Sequence, residues 1–120
     1  MKTILVIEDD AYCSLFLKKI LESSGYEVVI AENGENALAS LRQGKFIGVF
    51  LDISLPDIDG FELAKKTKEI YGNAFPIIAL TGYSLERFKE NSNEALFSEI
   101  LIKPISIQDL IKTAQKYFNP

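Results

Sequence analysis

No histidine occurs anywhere in the 120 residues, and cysteine occurs once, as Cys13. Without histidine the chain cannot build a Ser-His-Asp or Cys-His triad, a zinc site resting on imidazole, or a phosphohistidine relay of its own. A lone cysteine cannot close an internal disulfide, which is compatible with a reducing compartment. Long apolar runs are also missing. Those present span a few residues, against the roughly 18 needed to cross a bilayer, and Met1-Lys2 leads straight into a strand-like run. A soluble cytoplasmic protein with no membrane contact is therefore expected. Clusters of Lys and Arg are lacking too: 13 basic residues lie scattered among 17 acidic ones, for a net charge of −4. Nucleic acid is not an expected partner, because counterion release needs clustered positive charge. Nor does a Gly-x-Gly-x-x-Gly or Walker-type loop follow the first apolar run, which argues against a flavodoxin-like enzyme or nucleotide binder.

What remains is the length of one ordinary domain, with 48% hydrophobic residues to fill one core. Short β-branched runs alternate with longer amphipathic ones. Strands are expected at Thr3 to Glu8, Tyr26 to Ala31, Phe46 to Asp52, Pro76 to Thr81 and Glu99 to Ile102. Between the first two, Cys13, Phe16, Leu17, Ile20 and Leu21 recur at helical spacing, and Gly25 ends that helix. A second helix, from about Gly34 to Gln43, turns Ala37, Leu38 and Leu41 inward and stops at Gly44, where positive φ is expected. The third runs from about Gly60 to Tyr71, and the fourth, from about Leu85 to Leu96, is interrupted by the weak helix formers Asn91-Ser92-Asn93. The last follows the N-cap Ser106 and carries Ile107, Leu110, Ile111, Ala114 and Phe118 inward. Five βα units in succession predict an α/β fold, a parallel five-stranded sheet with helices on both faces, of the flavodoxin-like doubly wound kind.

In such a sheet the carboxyl ends of the strands share one edge, and ligands bind in the crevice outside it where strand order reverses. Glu8-Asp9-Asp10, Asp52, Thr81 and Lys103 all fall at strand ends. Several carboxylates, one hydroxyl and one ammonium would meet in one pocket. Crowded carboxylates repel unless a hard cation sits among them, and oxygen ligands suit Mg²⁺. The pattern points to a metal-dependent phosphate site. Taken singly, the same residues read more simply: Glu8-Asp9-Asp10 as a helix start capped by Asp10, Thr81 as a strand residue, Lys103 as a solvated charge. Asp57 and Asp59, beside Pro56 and Gly60, read as turn and cap residues, and Cys13 as a small buried hydrophobe.

Taken together, Ile4-Leu5-Val6-Ile7-Glu8-Asp9-Asp10, Ala31-Glu32-Asn33-Gly34-Glu35-Asn36-Ala37-Leu38, Asp52 through Gly60, Ala79-Leu80-Thr81-Gly82 and Lys103-Pro104 follow one another in a specific order. From end to end the chain resembles a response-regulator receiver domain, of the CheY-like superfamily of two-component signalling. The resemblance implies a single receiver domain over residues 1–120 with strand order 2-1-3-4-5. It implies that Asp52 accepts a phosphoryl group from the phosphohistidine of a histidine kinase or phosphotransfer protein, and that the phosphorylated domain signals to a downstream protein through altered contacts. On this reading the chain is a signalling phosphoacceptor, not an enzyme with a separate substrate. Side chains of Asp9 and Asp52 and the backbone carbonyl of Ser54 would hold Mg²⁺, with Glu8 acting through a metal-bound water. Lys103 and Thr81 would contact the phosphoryl oxygens, Gly82 would leave room for them, and the Lys103-Pro104 bond would be cis.

Two departures accompany the resemblance. The family places an aromatic residue where this chain has Ile100, and small residues where it has Leu96-Phe97. Isoleucine cannot serve as an aromatic lever behind Thr81, which gives some weight to a rival: a phosphorylation-independent pseudo-receiver acting as a protein-docking module. Ser54 and Tyr83 occupy positions that, in the family, govern how fast water reaches the acyl phosphate.

Overall fold

The computed structural model describes residues 2–82 and 96–118. In chain order these form β1 (Thr3–Ile7), α1 (Ala11–Ser23), β2 (Glu27–Ala31), α2 (Gly34–Gln43), β3 (Gly48–Asp52), α3 (Gly60–Tyr71), β4 (Ile77–Thr81), β5 (Glu99–Ile102) and α4 (Ile107–Phe118). The strands make one parallel sheet in the order β2-β1-β3-β4-β5. The expected helix at about Leu85 to Leu96 lies, apart from Leu96, outside the described residues, as does Tyr83.

Alternation along the strands divides the core in two. Leu5, Ile7, Val49, Leu51, Ile77 and Ala79 face α2 and α3, where Ala37, Leu41, Leu63 and Ala64 meet them. Ile4, Val6, Phe50, Ile78, Leu80 and Leu101 face α1 and α4, against Leu17, Leu21, Leu110, Ala114 and Phe118. Because both faces are covered, β1, β3 and β4 are apolar almost throughout, as buried parallel strands must be. The helices start where the sequence says they should. Asp10 accepts from Tyr12 N–H, Asn33 from Asn36 N–H, Asp59 from Phe61 N–H and Ser106 from Asp109 N–H.

The first and last strands start at Thr3 and Glu99 as expected, while β2, β3 and β4 start a residue or two later. Tyr26 N–H is used by the turn that ends α1, bonding Leu21 O at 3.2 Å, and Pro76 has no N–H to give. Two expectations are corrected. Gly44 takes φ −99° and ψ 177°, an extended conformation, not positive φ. Its smallness is needed instead because a Cβ there would lie 2.6 Å from Phe46 Cε2. Ile107 is not inward: it is 48% exposed at the first turn of α4, ahead of the point where Leu110 reaches the sheet.

Gly48 shows how tightly α4 sits. A Cβ at this β3 position would stand 1.9 Å from Phe118 Cε1, and the Phe118 ring is itself fixed edge-to-face on Phe50, centroids 5.5 Å apart. Gly48→Ala should therefore cost about 1–3 kcal/mol through overpacking. Urea unfolding should show a lower midpoint at unchanged slope, and Phe118→Leu in the same chain should restore part of the loss.

Candidate functional site

The site is set by strand register. Ile7 of β1 lies opposite Leu51 of β3, so the next residues, Glu8 and Asp52, leave the sheet side by side. Both exits are pinned: Glu8 N–H bonds Ala31 O at 3.0 Å and Ile53 N–H bonds Leu80 O at 3.1 Å. On the other side of β3, Thr81 ends β4 with its side chain buried, and its carbonyl accepts from Lys103 N–H at 2.8 Å. That bond brings Lys103, the residue after β5, to the same edge. The Lys103-Pro104 peptide is cis, as the resemblance implies.

Carboxylate oxygens of Glu8, Asp9 and Asp52 lie within 4.8 Å of one another. Glu8 and Asp52 are buried, at 1% and 4% exposure, while Asp9 faces solvent. Lys103 Nζ stands 2.6 Å from Glu8 Oε1 and 3.4 Å from Asp52 Oδ2. The Glu8 contact is an ion pair whose angles fall outside hydrogen-bond geometry, so Oε1 is charge-paired without being hydrogen-bonded. Its other oxygen accepts weakly from Asp10 N–H at 3.3 Å, and Asp52 Oδ1 accepts from Ser54 N–H at 3.0 Å.

These contacts split the two buried carboxyls. Burial pushes Glu8 up to about 7, and its hydrogen bond to Asp52 pushes the same way, against the opposing pull of Lys103. Burial also raises Asp52, but the hydrogen bond from Glu8, the Ser54 N–H and Lys103 together outweigh it and hold Asp52 below the usual carboxylate range. The two environments thus push the pair apart, Glu8 upward and Asp52 downward. Lys103 loses some basicity to burial and regains more from Glu8 and Asp52, ending above its ordinary value. With all three ionised, three carboxylates face one ammonium, a formal charge of two negatives in one oxygen-lined cluster. The donor set suits a hard dication.

The register therefore brings together Glu8, Asp9, Asp52 and Lys103, with Thr81 beside them at the same sheet edge and Ser54 on the loop just beyond Asp52. No atom of the described residues lies within 4 Å of a notional Cβ on Gly82. Cys13 is only half-buried. Its thiol is pushed up to about 12 by burial and by a hydrogen bond to Glu8, so it belongs to the wall of the site, a placement that helical periodicity alone does not reveal. Asp57 is a cap as its sequence neighbours suggest, but of a helix 23 residues back: it accepts from Gly34 N–H at 2.8 Å and Glu35 N–H at 3.0 Å. No local pattern announces that partner. Of the two departures, Ile100 is half-buried against the α2–α3 face of the core, and Phe97 stacks edge-to-face on Phe61 of α3, centroids 5.9 Å apart.

An acidic, ammonium-bridged crevice at the reversal point of an open 2-1-3-4-5 sheet defines a CheY-like α/β domain, and comparison with known proteins agrees. Residues 4–115 match the response regulator receiver domain. The response regulator receiver protein CpdR of Brucella abortus is 34% identical over 116 residues, covering 97% of this chain and 96% of that protein. Chemotaxis protein CheY4 of Vibrio cholerae superposes with a TM-score of 0.89 at 27% identity, covering 98% of each chain. Response regulator TrrA of Thermotoga maritima, solved in complex with Mg²⁺ and BeF, gives 0.87 at 33% identity, covering 98% of this chain and 99% of that one. The chain belongs to the response regulator receiver domain family of two-component systems. Members of that family are signalling phosphoacceptor domains that bind Mg²⁺ at an acidic site and work with histidine kinases or phosphotransfer proteins and downstream targets. No described helix is long and apolar enough to cross a membrane.

The opposed shifts of Glu8 and Asp52 give a pH dependence whose sign is fixed. A carboxyl whose folded value is raised from 4.5 to about 7 contributes stability that is complete below 4.5 and is lost as pH rises through 7. Asp52, depressed below 3.8, acts oppositely, losing its contribution only at lower pH. In metal-free buffer the thermal midpoint should fall between pH 5 and about 7.5. Glu8→Gln, which cannot ionise, should flatten that fall and be the more stable protein at its alkaline end; an unchanged slope in the variant would remove Glu8 as the cause.

Proposed function

We propose that Asp52 is the phosphoacceptor of a two-component phosphorelay, taking its phosphoryl group from a phosphohistidine on a partner histidine kinase or phosphotransfer protein. The observation that carries this reading is the convergence of Glu8, Asp9 and Asp52 with Lys103 at one sheet edge. Transfer asks little covalent chemistry of a receiver: the acceptor oxygen must stand in line, and the charge on the transferring oxygens must be neutralised.

Of the two buried carboxyls, Asp52 is held below the usual range and so stays the more readily ionised, with Glu8 raised beside it. Its Oδ1 is engaged by Ser54 N–H, and Oδ2 faces the ammonium of Lys103, which fixes the carboxylate plane. As Asp52 attacks phosphorus, the P–O bond of the acyl phosphate forms, the P–N bond to the donor imidazole breaks, and the imidazole leaves with the bonding pair. Lys103 then exchanges its Asp52 contact for a phosphoryl oxygen, and the Thr81 hydroxyl donates to another. Asp9, Asp52 and the Ser54 carbonyl are the proposed ligands of Mg²⁺, with Glu8 reached through a bound water; the bound ion supplies charge neutralisation to the phosphoryl oxygens. Hydrolysis of the acyl phosphate resets the domain, so residues 1–120 act as a single receiver whose product is its own altered surface, presented to a downstream protein. The reading carries with it a cytoplasmic location, where ATP-fed kinases phosphorylate their histidines.

Intact-mass analysis after incubation with a small acyl phosphate or phosphoramidate tests this directly. One Mg²⁺-dependent phosphoryl adduct is expected on the wild type and none on Asp52→Asn, while Lys103→Ala should keep its fold and lose most of the response. An Asp52→Asn protein that still takes up phosphate at full rate would overturn the site assignment. If wild type takes up none, from small donors or from a phosphorylated histidine kinase, the docking-module reading replaces this one.

A further inference from the structure

Resting on that proposed Mg²⁺ site, we infer that Asp57 is a positioning residue for it, clamping the β3–α3 loop that carries Ser54 onto the amino terminus of α2. The loop closes on itself at its base, where Gly60 N–H bonds Ile53 O at 3.3 Å and a Cβ on Gly60 would lie 2.6 Å from Ile53 Cα. At its inner edge Ser54 N–H holds Asp52 Oδ1. At its outer edge the Asp57 carboxylate takes two backbone N–H groups of a different element, Gly34 on Oδ1 and Glu35 on Oδ2. Ile58 lies flush against the same turn: a Cβ on Gly34 would be 2.1 Å from its Cγ2.

This is more than helix capping. Helices α1 and α3 take side-chain caps from the residue just before each, Asp10 and Asp59. Helix α2 already has such a cap in Asn33, which serves Asn36 N–H, while Asn33 O accepts from Ala37 N–H. Asp57 adds a second, distant cap, and an anion at a helix amino terminus is favoured there by the unsatisfied N–H groups and the dipole. Although it is exposed, its carboxyl is held below the usual range chiefly by Gly34 N–H, so the clamp engages the ionised form. The helix start that it grips follows directly on β2, whose Ala31 O accepts from Glu8 N–H. The clamp thus joins the wall of the site bearing Ser54 to the wall bearing Glu8.

Mg²⁺ tolerates little departure from octahedral geometry, so loosening one wall weakens binding before it unfolds the chain. The test is a Mg²⁺ titration read from the ¹H–¹⁵N NMR shifts of the Asp52 and Ser54 amides in wild type, Asp57→Ala, Asp57→Asn and Asn33→Ala. In Asp57→Ala the Kd should rise about three- to tenfold, below the 10–100-fold typical of a partner bonded to a metal ligand itself. Asp57→Asn, which keeps one carbonyl acceptor, should fall between, and it carries the comparison should the alanine variant unfold. Asn33→Ala loses a cap on the same helix but leaves both Asp57 acceptors and their N–H donors in place, so it should lower the unfolding midpoint yet bind Mg²⁺ like wild type. Wild-type affinity in both Asp57 variants, or an equal loss in Asn33→Ala, overturns the positioning role alone. A wild type with no Mg²⁺-dependent shifts overturns the metal site beneath it.

Discussion

Two carboxylates buried side by side, Glu8 and Asp52, are the constraint around which the rest of the site is arranged. Each would prefer water, and their mutual repulsion in a medium of low dielectric makes the pair worse than either alone. Register leaves them no choice, because Ile7 and Leu51 are partners and the next two residues must emerge together. A slip of one residue in either strand would separate them, but would also turn Leu5 and Ile7 from one core face to the other. Close packing of the strands against both helical layers thus fixes the register that brings the two acids together. Lys103, the Ser54 N–H and the raised proton affinity of Glu8 are what make that proximity tolerable.

Each compensation comes from a different place in the topology. Lys103 arrives from β5, two strands beyond β3, and reaches the pair because its own N–H is tied to Thr81 O. Asp9 follows β1, and Ser54 follows β3. The chain runs outward from β1 to β2, then crosses back past β1 to β3, and this reversal leaves the crevice uncovered by a crossover. A site whose charges come from separate segments can be stable without a ligand only through a compromise of protonation. Glu8, whose carboxyl is pushed up by burial, is the first of the pair to take up a proton as pH falls.

Much of this was legible in the chain itself. The strands and the helices α1, α2, α3 and α4 follow from period-2 and period-3.6 patterns, and the caps Asp10, Asp59 and Ser106 from their position before helical runs. The edge placement of Glu8, Asp9, Asp52, Thr81 and Lys103 follows from parallel topology, although sequence does not say which carboxyl keeps the proton. What escaped has a common physical reason: it depends on contacts between segments far apart. Gly44 is small because Phe46 folds back on it, not because its backbone is left-handed. Ile107 matches the apolar stripe of α4 but sits a turn too early to reach the sheet. Asp57 looks like a turn residue and serves another helix.

The aromatic residue that the family uses behind the β4 threonine is absent, and the packing shows what stands in its region. Ile100 is half-buried with Leu96 and Phe97 against the core between the sheet and α3. A β-branched side chain has few χ1 states and no ring to sweep between solvent and interior, so a large aromatic rotation at this position is not open to the chain. The ring lies three residues earlier, in Phe97, pressed edge-to-face on Phe61. Phe61 in turn donates its N–H to Asp59, at the end of the same loop that begins beside Asp52. Among the described residues, the Phe97 ring ahead of β5 meets α3 through Phe61, and Tyr117 of α4 donates its hydroxyl to Ser98 O and Glu99 Oε1 at the start of β5. Phe61 thus touches both Phe97 and the loop that begins beside Asp52, whereas Ile100 packs within the core.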